Sequence, residues 1–293
     1  MCNNINPPVR LQLMISSRFL LAQLHLESLA NSQTANEVRN SLNTLPKALD
    51  PTYDNVMARI KAQDSQDSRL AKKVLSWIIY AKRPLTIEEM QHAAKTEPGV
   101  TRTEQGDLIS KDILVSVCAG IVTIDKEANT IRLVHYSTQE YFMRTRNTYF
   151  PNAEEKIATA CMTYLMFEEM QSLRGKDGRG LRRAMKLPFQ RQAFLWYAAE
   201  FWNSHISEIT ESILETALKF LANGIATRVS FAIIQARRIR YMPIVIPFSD
   251  YGVGMSVCLC SYIGAHSLLE KLPWLQENIN YSGYMHGTPR RLL

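Results

Sequence analysis

The sequence predicts a mainly α protein with one small β-hairpin. Three observations carry that prediction. Apolar residues recur at spacings of three and four through most of the segment from Tyr53 to Val117. Two β-rich runs, Ile121–Ile124 and Thr130–His135, then flank a polar stretch at 125–129 that has hairpin composition. From Asn152 to about Ala236 the chain returns to helical patterning, broken at 172–181 by a basic loop containing glycine.

Taken in order, the elements read as follows. Leu11–Ala30 is apolar on most positions and predicts a buried helix; Asn36–Leu42 predicts a short one, closed by Leu45 and Pro46. Asp50 followed by Pro51 predicts a helix start, aspartate as N-cap and proline at the first helical position. The helix behind it lines up Tyr53, Val56, Met57 and Ile60. Ser65–Lys82 is the next helix, stopped by Arg83 and Pro84. Thr86 and Glu89 have capping-box spacing and open a helix through Ala94. Asp107–Cys118 is predicted as one continuous helix, with Gly120 as its stop signal.

Three helices and then a hairpin are the winged-helix arrangement of the helix-turn-helix class. Domain bounds follow: residues 48–150 for the winged helix, 151–250 for a helical linker, and a helical remnant at 1–47. Tyr241–Pro247 carries two prolines and reads as a connector within the linker. Residues 251–293 read as incomplete ankyrin repeats. Met255–Ile263 and His266–Leu272 predict a helix pair around Gly264, and the step from Met255 to Thr288 is the 33-residue ankyrin period. Two half-repeats are fewer than the roughly three such an array needs, which predicts fraying beyond Leu272.

The block Ile131–Phe142 (IRLVHYSTQEYF) is the most distinctive in the chain. A strand ends on His135, and Ser137 stands three residues before Glu140, the spacing of a capping box. The pattern places an imidazole beside a helix N-terminus, where backbone N–H groups and the helix dipole favour an anion. His135 is the candidate for phosphate contact. The opposing reading is a packed histidine, since Ile131, Leu133 and His135 alternate onto one strand face.

Composition excludes several functions. The 293 residues suffice for about two domains. No apolar run approaches the roughly 18 residues of a membrane span, and the N-terminus has no signal-peptide pattern, so the expected location is cytoplasmic. The five cysteines are scattered, the histidines show no metal-ligand spacing, and no serine-elbow motif occurs; no metal and no catalytic residue are expected. The net charge of +7 is concentrated in Gln171–Arg191 and around Arg237, Arg238 and Arg240. Such runs mostly mark solvated surface, with non-specific nucleic-acid contact as the alternative. The third helix presents Asp107, Lys111 and Asp112, a poor set for a DNA groove, so no specific nucleic acid is expected.

Four segments together resemble a known family: Leu45–Asp54 (LPKALDPTYD), Ile87–Met90 (IEEM), Leu133–Phe142 (LVHYSTQEYF) and Phe194–Ala199 (FLWYAA). They are similar to the fungal NACHT–ankyrin repeat proteins of the STAND class of signalling NTPases, with a weaker match at 170–190 and 225–254. That resemblance implies a fragment: the tail of the NACHT helical region, the winged helix, the helical linker and the first ankyrin repeat. It also implies a non-enzymatic role, coupling nucleotide state to ankyrin-mediated sensing through protein partners. No phosphate loop of the form G-x-x-x-x-G-K-[ST] occurs, so ADP or ATP is expected only with a separate NACHT core. In such proteins a winged-helix histidine touches the β-phosphate of ADP, and His135 matches that position. The alternatives are a stand-alone protein-interaction scaffold and a winged-helix nucleic-acid binder.

Overall fold

The computed structural model describes residues 22, 24, 26, 34, 36, 37, 48–102, 105–173, 193–238 and 253–271. The basic loop at 174–191, Arg240, the connector at 241–247 and the second repeat step with its predicted fraying beyond Leu272 lie outside them. So does most of the chain before residue 48, although residues 22, 24 and 26 are helical. The chain divides into two compact units: residues 1–87 with 109–151, and residues 88–108 with 152–293. It is mainly helical, with a two-stranded antiparallel sheet.

In the first unit, α1 (Leu49–Ala62) buries Thr52, Tyr53, Val56, Met57 and Ile60, the stripe expected from the spacing. Its cap differs from expectation. Ala48 is the N-cap residue, and no side chain caps the helix. Asp50 lies inside the first turn and pairs with Arg144. The helix begins two residues before Pro51, so Asp50 is two positions too far in to cap it.

The next helix, α2 (Ser65–Tyr80), is capped by Asp64, whose carboxylate accepts from the Gln66 N–H at 2.6 Å. It buries Ala71, Val74, Leu75, Trp77 and Ile79. Next come α3 (Ile87–Lys95), a 3-10 turn at Gln105–Asp107 and α4 (Lys111–Ser116). The single helix expected over Asp107–Cys118 is therefore shorter. Ser110 resets its start: its hydroxyl accepts from the Ile113 N–H at 3.3 Å.

Strands β1 (Val122–Asp125) and β2 (Thr130–Leu133) pair in register from Val122 opposite Leu133 to Asp125 opposite Thr130. Asp125 organises the turn, its carboxylate accepting from the N–H groups of Glu127 and Ala128 at 3.1 Å. Asn129 closes the turn in the left-handed region at φ 50. Leu85 and Ile87 also bond across to Ile131 and Asn129, and Thr86 bridges Thr130, so a third short stretch joins the hairpin. The unit ends with α5 (Tyr136–Tyr149).

The second unit takes residues 88–108, hence nearly all of α3. It continues with α6 (Ala153–Leu165), a 3-10 stretch at Glu168–Leu173, α7 (Leu195–Phe201), a 3-10 turn at Asn203–His205, α8 (Glu211–Ala222) and α9 (Gly224–Arg238). The helices α10 (Val253–Ile263) and α11 (His266–Lys271) follow, joined through Gly264 at φ 72. Glycine takes that left-handed turn without a Cβ penalty. The core is aromatic: Tyr164, Phe167, Phe194, Tyr197, Trp202, Phe220 and Phe231 are all fully buried. No single helix among the described residues is long and apolar enough to cross a membrane.

Candidate functional site

The site is built where β2 hands over to α5. Val134 still donates to the Ile121 carbonyl, and His135 is extended at φ −151 and ψ 152. The chain turns helical at Tyr136. His135 is thus the N-cap residue itself, and its Nδ1 accepts from the Ser137 N–H at 3.2 Å. Its carbonyl takes the Thr138 N–H at 3.2 Å. This corrects the expected capping box. Ser137 lies inside the helix, and its own N–H is one of the orphan donors that needs a cap. An imidazole nitrogen does the work that the serine hydroxyl was expected to do. The pattern Ser/Thr-x-x-Glu does form a box elsewhere: Thr34 and Glu37 each accept the other's N–H, at 3.2 and 3.3 Å.

The Ser137 hydroxyl is turned to other partners. It lies 2.7 Å from His135 Nδ1 and 2.9 Å from the Tyr53 hydroxyl. Thr138 donates to that same Tyr53 hydroxyl at 3.1 Å. Four groups from α1 and α5 therefore form one hydrogen-bonded line. Burial holds the His135 imidazole below its ordinary pKa, and the Glu140 carboxylate pulls weakly the other way. Burial also pushes the Tyr53 phenol up. The imidazole is thus neutral at physiological pH, and the Tyr136 ring lies 4.5 Å from it.

Two more contacts extend this line into a seam. The hydroxyls of Tyr141 and Tyr149 both donate to the Asp54 carboxylate and lie 2.9 Å from each other. Burial, reinforced by the carboxylate, pushes the Tyr141 phenol far up. Further out, Arg144 bonds both Asp50 oxygens at 2.9 and 3.0 Å. Residues 50, 53 and 54 on α1 thus meet residues 137, 138, 141 and 144 on α5, each set at helical spacing. Two of the four blocks that carried the resemblance, Leu45–Asp54 and Leu133–Phe142, supply the two sides of one seam.

Of the residues singled out from sequence, His135 stands in this site as the phosphate candidate, and Asp50 and Ser137, expected as caps, join it through other contacts. Asp54 and Tyr149 were not anticipated, and Tyr53 and Tyr141 read as core alone. Their rings are buried as expected, and it is the hydroxyls that join the seam. Cys118 and Cys260 are buried, their thiols pushed up to about 12 by burial, which keeps them unreactive. Among the described residues no three His, Cys, Asp or Glu side chains are grouped to hold a metal ion.

Residues 57–150 match the family described as the winged helix domain of GPI inositol-deacylase. A curated relative, "Azaphilone pigments biosynthesis cluster protein L" of Monascus ruber, is 25% identical over 201 residues. That alignment covers 63% of this chain and 40% of the relative, so the chain corresponds to less than half of that protein. No solved structure matches.

Proposed function

We propose that this chain is a non-catalytic regulatory segment of a NACHT-class signalling NTPase. Its winged helix reads the phosphate of a nucleotide held by a NACHT core, and His135 makes the contact. The observation that supports this is the cap geometry. Nδ1 is committed to the helix start, so the ring's other nitrogen, Nε2, carries the proton of the neutral form. A neutral imidazole with a free N–H at a helix N-terminus is a suitable donor to a phosphate oxygen. The matched winged-helix domain supports the coarser part of this reading. Helices α10 and α11, turning at Gly264, are consistent with the opening of an ankyrin repeat that would carry the sensing surface. The same reading puts the protein in the cytoplasm, with protein partners.

The test is a longer protein that includes the nucleotide-binding core, with and without His135→Ala. Faster ADP exchange and weaker ADP affinity in the variant are expected. Unchanged values in both would end the phosphate reading. A stand-alone interaction scaffold is the second reading, supported by Tyr136 and Met143, both more than 40% exposed. They stand seven residues apart on α5, hence on one face.

A further inference from the structure

The direction of each proton in the seam follows from donor and acceptor bookkeeping. Nδ1 of His135 already accepts the Ser137 N–H, so it carries no hydrogen. The Ser137 hydroxyl, 2.7 Å away, must then donate to Nδ1 rather than accept from it. With its one proton used, Ser137 Oγ accepts from the Tyr53 hydroxyl at 2.9 Å. Tyr53, having donated, accepts from Thr138, whose hydroxyl donates at 3.1 Å. Ser137 and Tyr53 each give and take once, Thr138 gives at the far end, and all the protons point toward Nδ1. Such a chain polarises its members in one sense and is stronger than isolated pairs.

We propose that Tyr53 and Ser137 position His135. Their hydroxyl chain holds the ring as the neutral Nε2–H tautomer and makes the place of α1 a determinant of where that N–H points. The proposal rests on the reading of His135 as the phosphate donor, and gives that contact its regulation. A phosphate oxygen meets one uncharged donor of fixed direction, and moving α1 withdraws Tyr53 from the hydroxyl chain that donates to Nδ1 on the far side of the ring. The titratable groups around the ring are Tyr53 from α1 and Tyr136 and Glu140 from α5. Protonation of Nδ1 would set an N–H against the Ser137 N–H and break the cap. The low basicity of the ring agrees with that arrangement.

The experiment is nitrogen-15 NMR on the full chain labelled at histidine, with His135 assigned by loss of its signals in His135→Asn. Above neutral pH, wild type is expected to show Nδ1 bare and Nε2 protonated. Ser137→Ala removes one donor to Nδ1 and is expected to raise the minor Nδ1–H fraction roughly fivefold to tenfold, for a net hydrogen bond of about 1 kcal/mol. Tyr53→Phe acts in the same direction and less, and Ser137→Thr restores the wild-type ratio. The titration midpoint of His135 rises in both hydroxyl-deletion variants. A wild-type ring protonated at Nδ1 would overturn the proposal without any variant needing to fold. So would variants with wild-type thermal midpoints whose tautomer ratio and titration are unchanged. No nucleotide is present, so a failed tautomer result is separate from a failed ADP-exchange result.

Discussion

Three histidines, His92, His135 and His205, sit in two kinds of surroundings, one in each unit. In the second unit His92 and His205 are buried and each meets a tyrosine hydroxyl: Tyr164 at 3.1 Å from His92 Nδ1 and Tyr197 at 2.9 Å from His205 Nε2. Those tyrosines belong to the continuous aromatic core, where Phe194 contacts both rings. In the first unit His135 is only half buried, caps a helix, and terminates a line of hydroxyls. A histidine fixed inside an aromatic core fills space and satisfies a phenol. A histidine fixed on one side only keeps the other side available to a ligand. The second unit is held chiefly by burial and the α1–α5 seam by hydrogen bonds, so the two should fail under different insults.

The largest expected effect lies in the aromatic core. Trp202→Ala removes a fully buried ring packed on Phe220 and is expected to cost about 3–5 kcal/mol, read as a lowered urea midpoint. A loss under about 1 kcal/mol would mean that burial does not dominate there. Tyr141→Phe keeps its ring and deletes only the hydroxyl between Asp54 and Tyr149. It should cost about 1–2 kcal/mol, with faster amide exchange along α5 as the local signature.

His135→Ala is expected to cost about 1 kcal/mol through the lost cap, and His135→Asn to recover most of it, asparagine being a strong N-cap. Thermal melts of the two variants separate a capping role from a general packing role. The same pair reports on pH. Burial lowers the folded-state pKa of both His135 and His92, so the unfolded chain binds more protons below about pH 6.5. Stability is whole above that value and declines as pH falls through it. His135→Asn removes one share of that decline and leaves the share of His92. Smallest is Arg144→Ala. The Asp50 pair is exposed, at 60% and 51% for the two side chains, and is worth about 0.5 kcal/mol or less. A larger loss, sensitive to salt, would show that the outer end of the seam carries weight.

Helix positions were legible because burial leaves a period: the stripe of α1 stands in the sequence as it does in the fold. Cap identities were less so. Ser137 and Glu140 have the spacing of a box, yet the cap falls two residues earlier, on His135, and the serine hydroxyl is claimed by Tyr53. Spacing alone does not reveal that competition, because Tyr53 lies 84 residues away. Ser110 was missed for the opposite reason. An apolar pattern starting at Leu108 ran across a cap that only backbone geometry reveals. His135 was legible as a candidate because of its place after a strand. Asp54, further along the seam, was not, since a carboxylate on a helix flank reads as surface until two tyrosines converge on it.

The assignment of residues 88–108 to the second unit has a consequence for synthesis. His92 leaves the ribosome 72 residues before its partner Tyr164. At roughly 5–20 residues per second, that is several seconds of waiting. Throughout that interval α3 carries Met90, Ala93 and Ala94, all buried in the finished fold, with the aromatic core of its unit still unmade. A nascent chain of this kind starts its second unit before its first is complete, and is most exposed to chaperones and proteases between those two points.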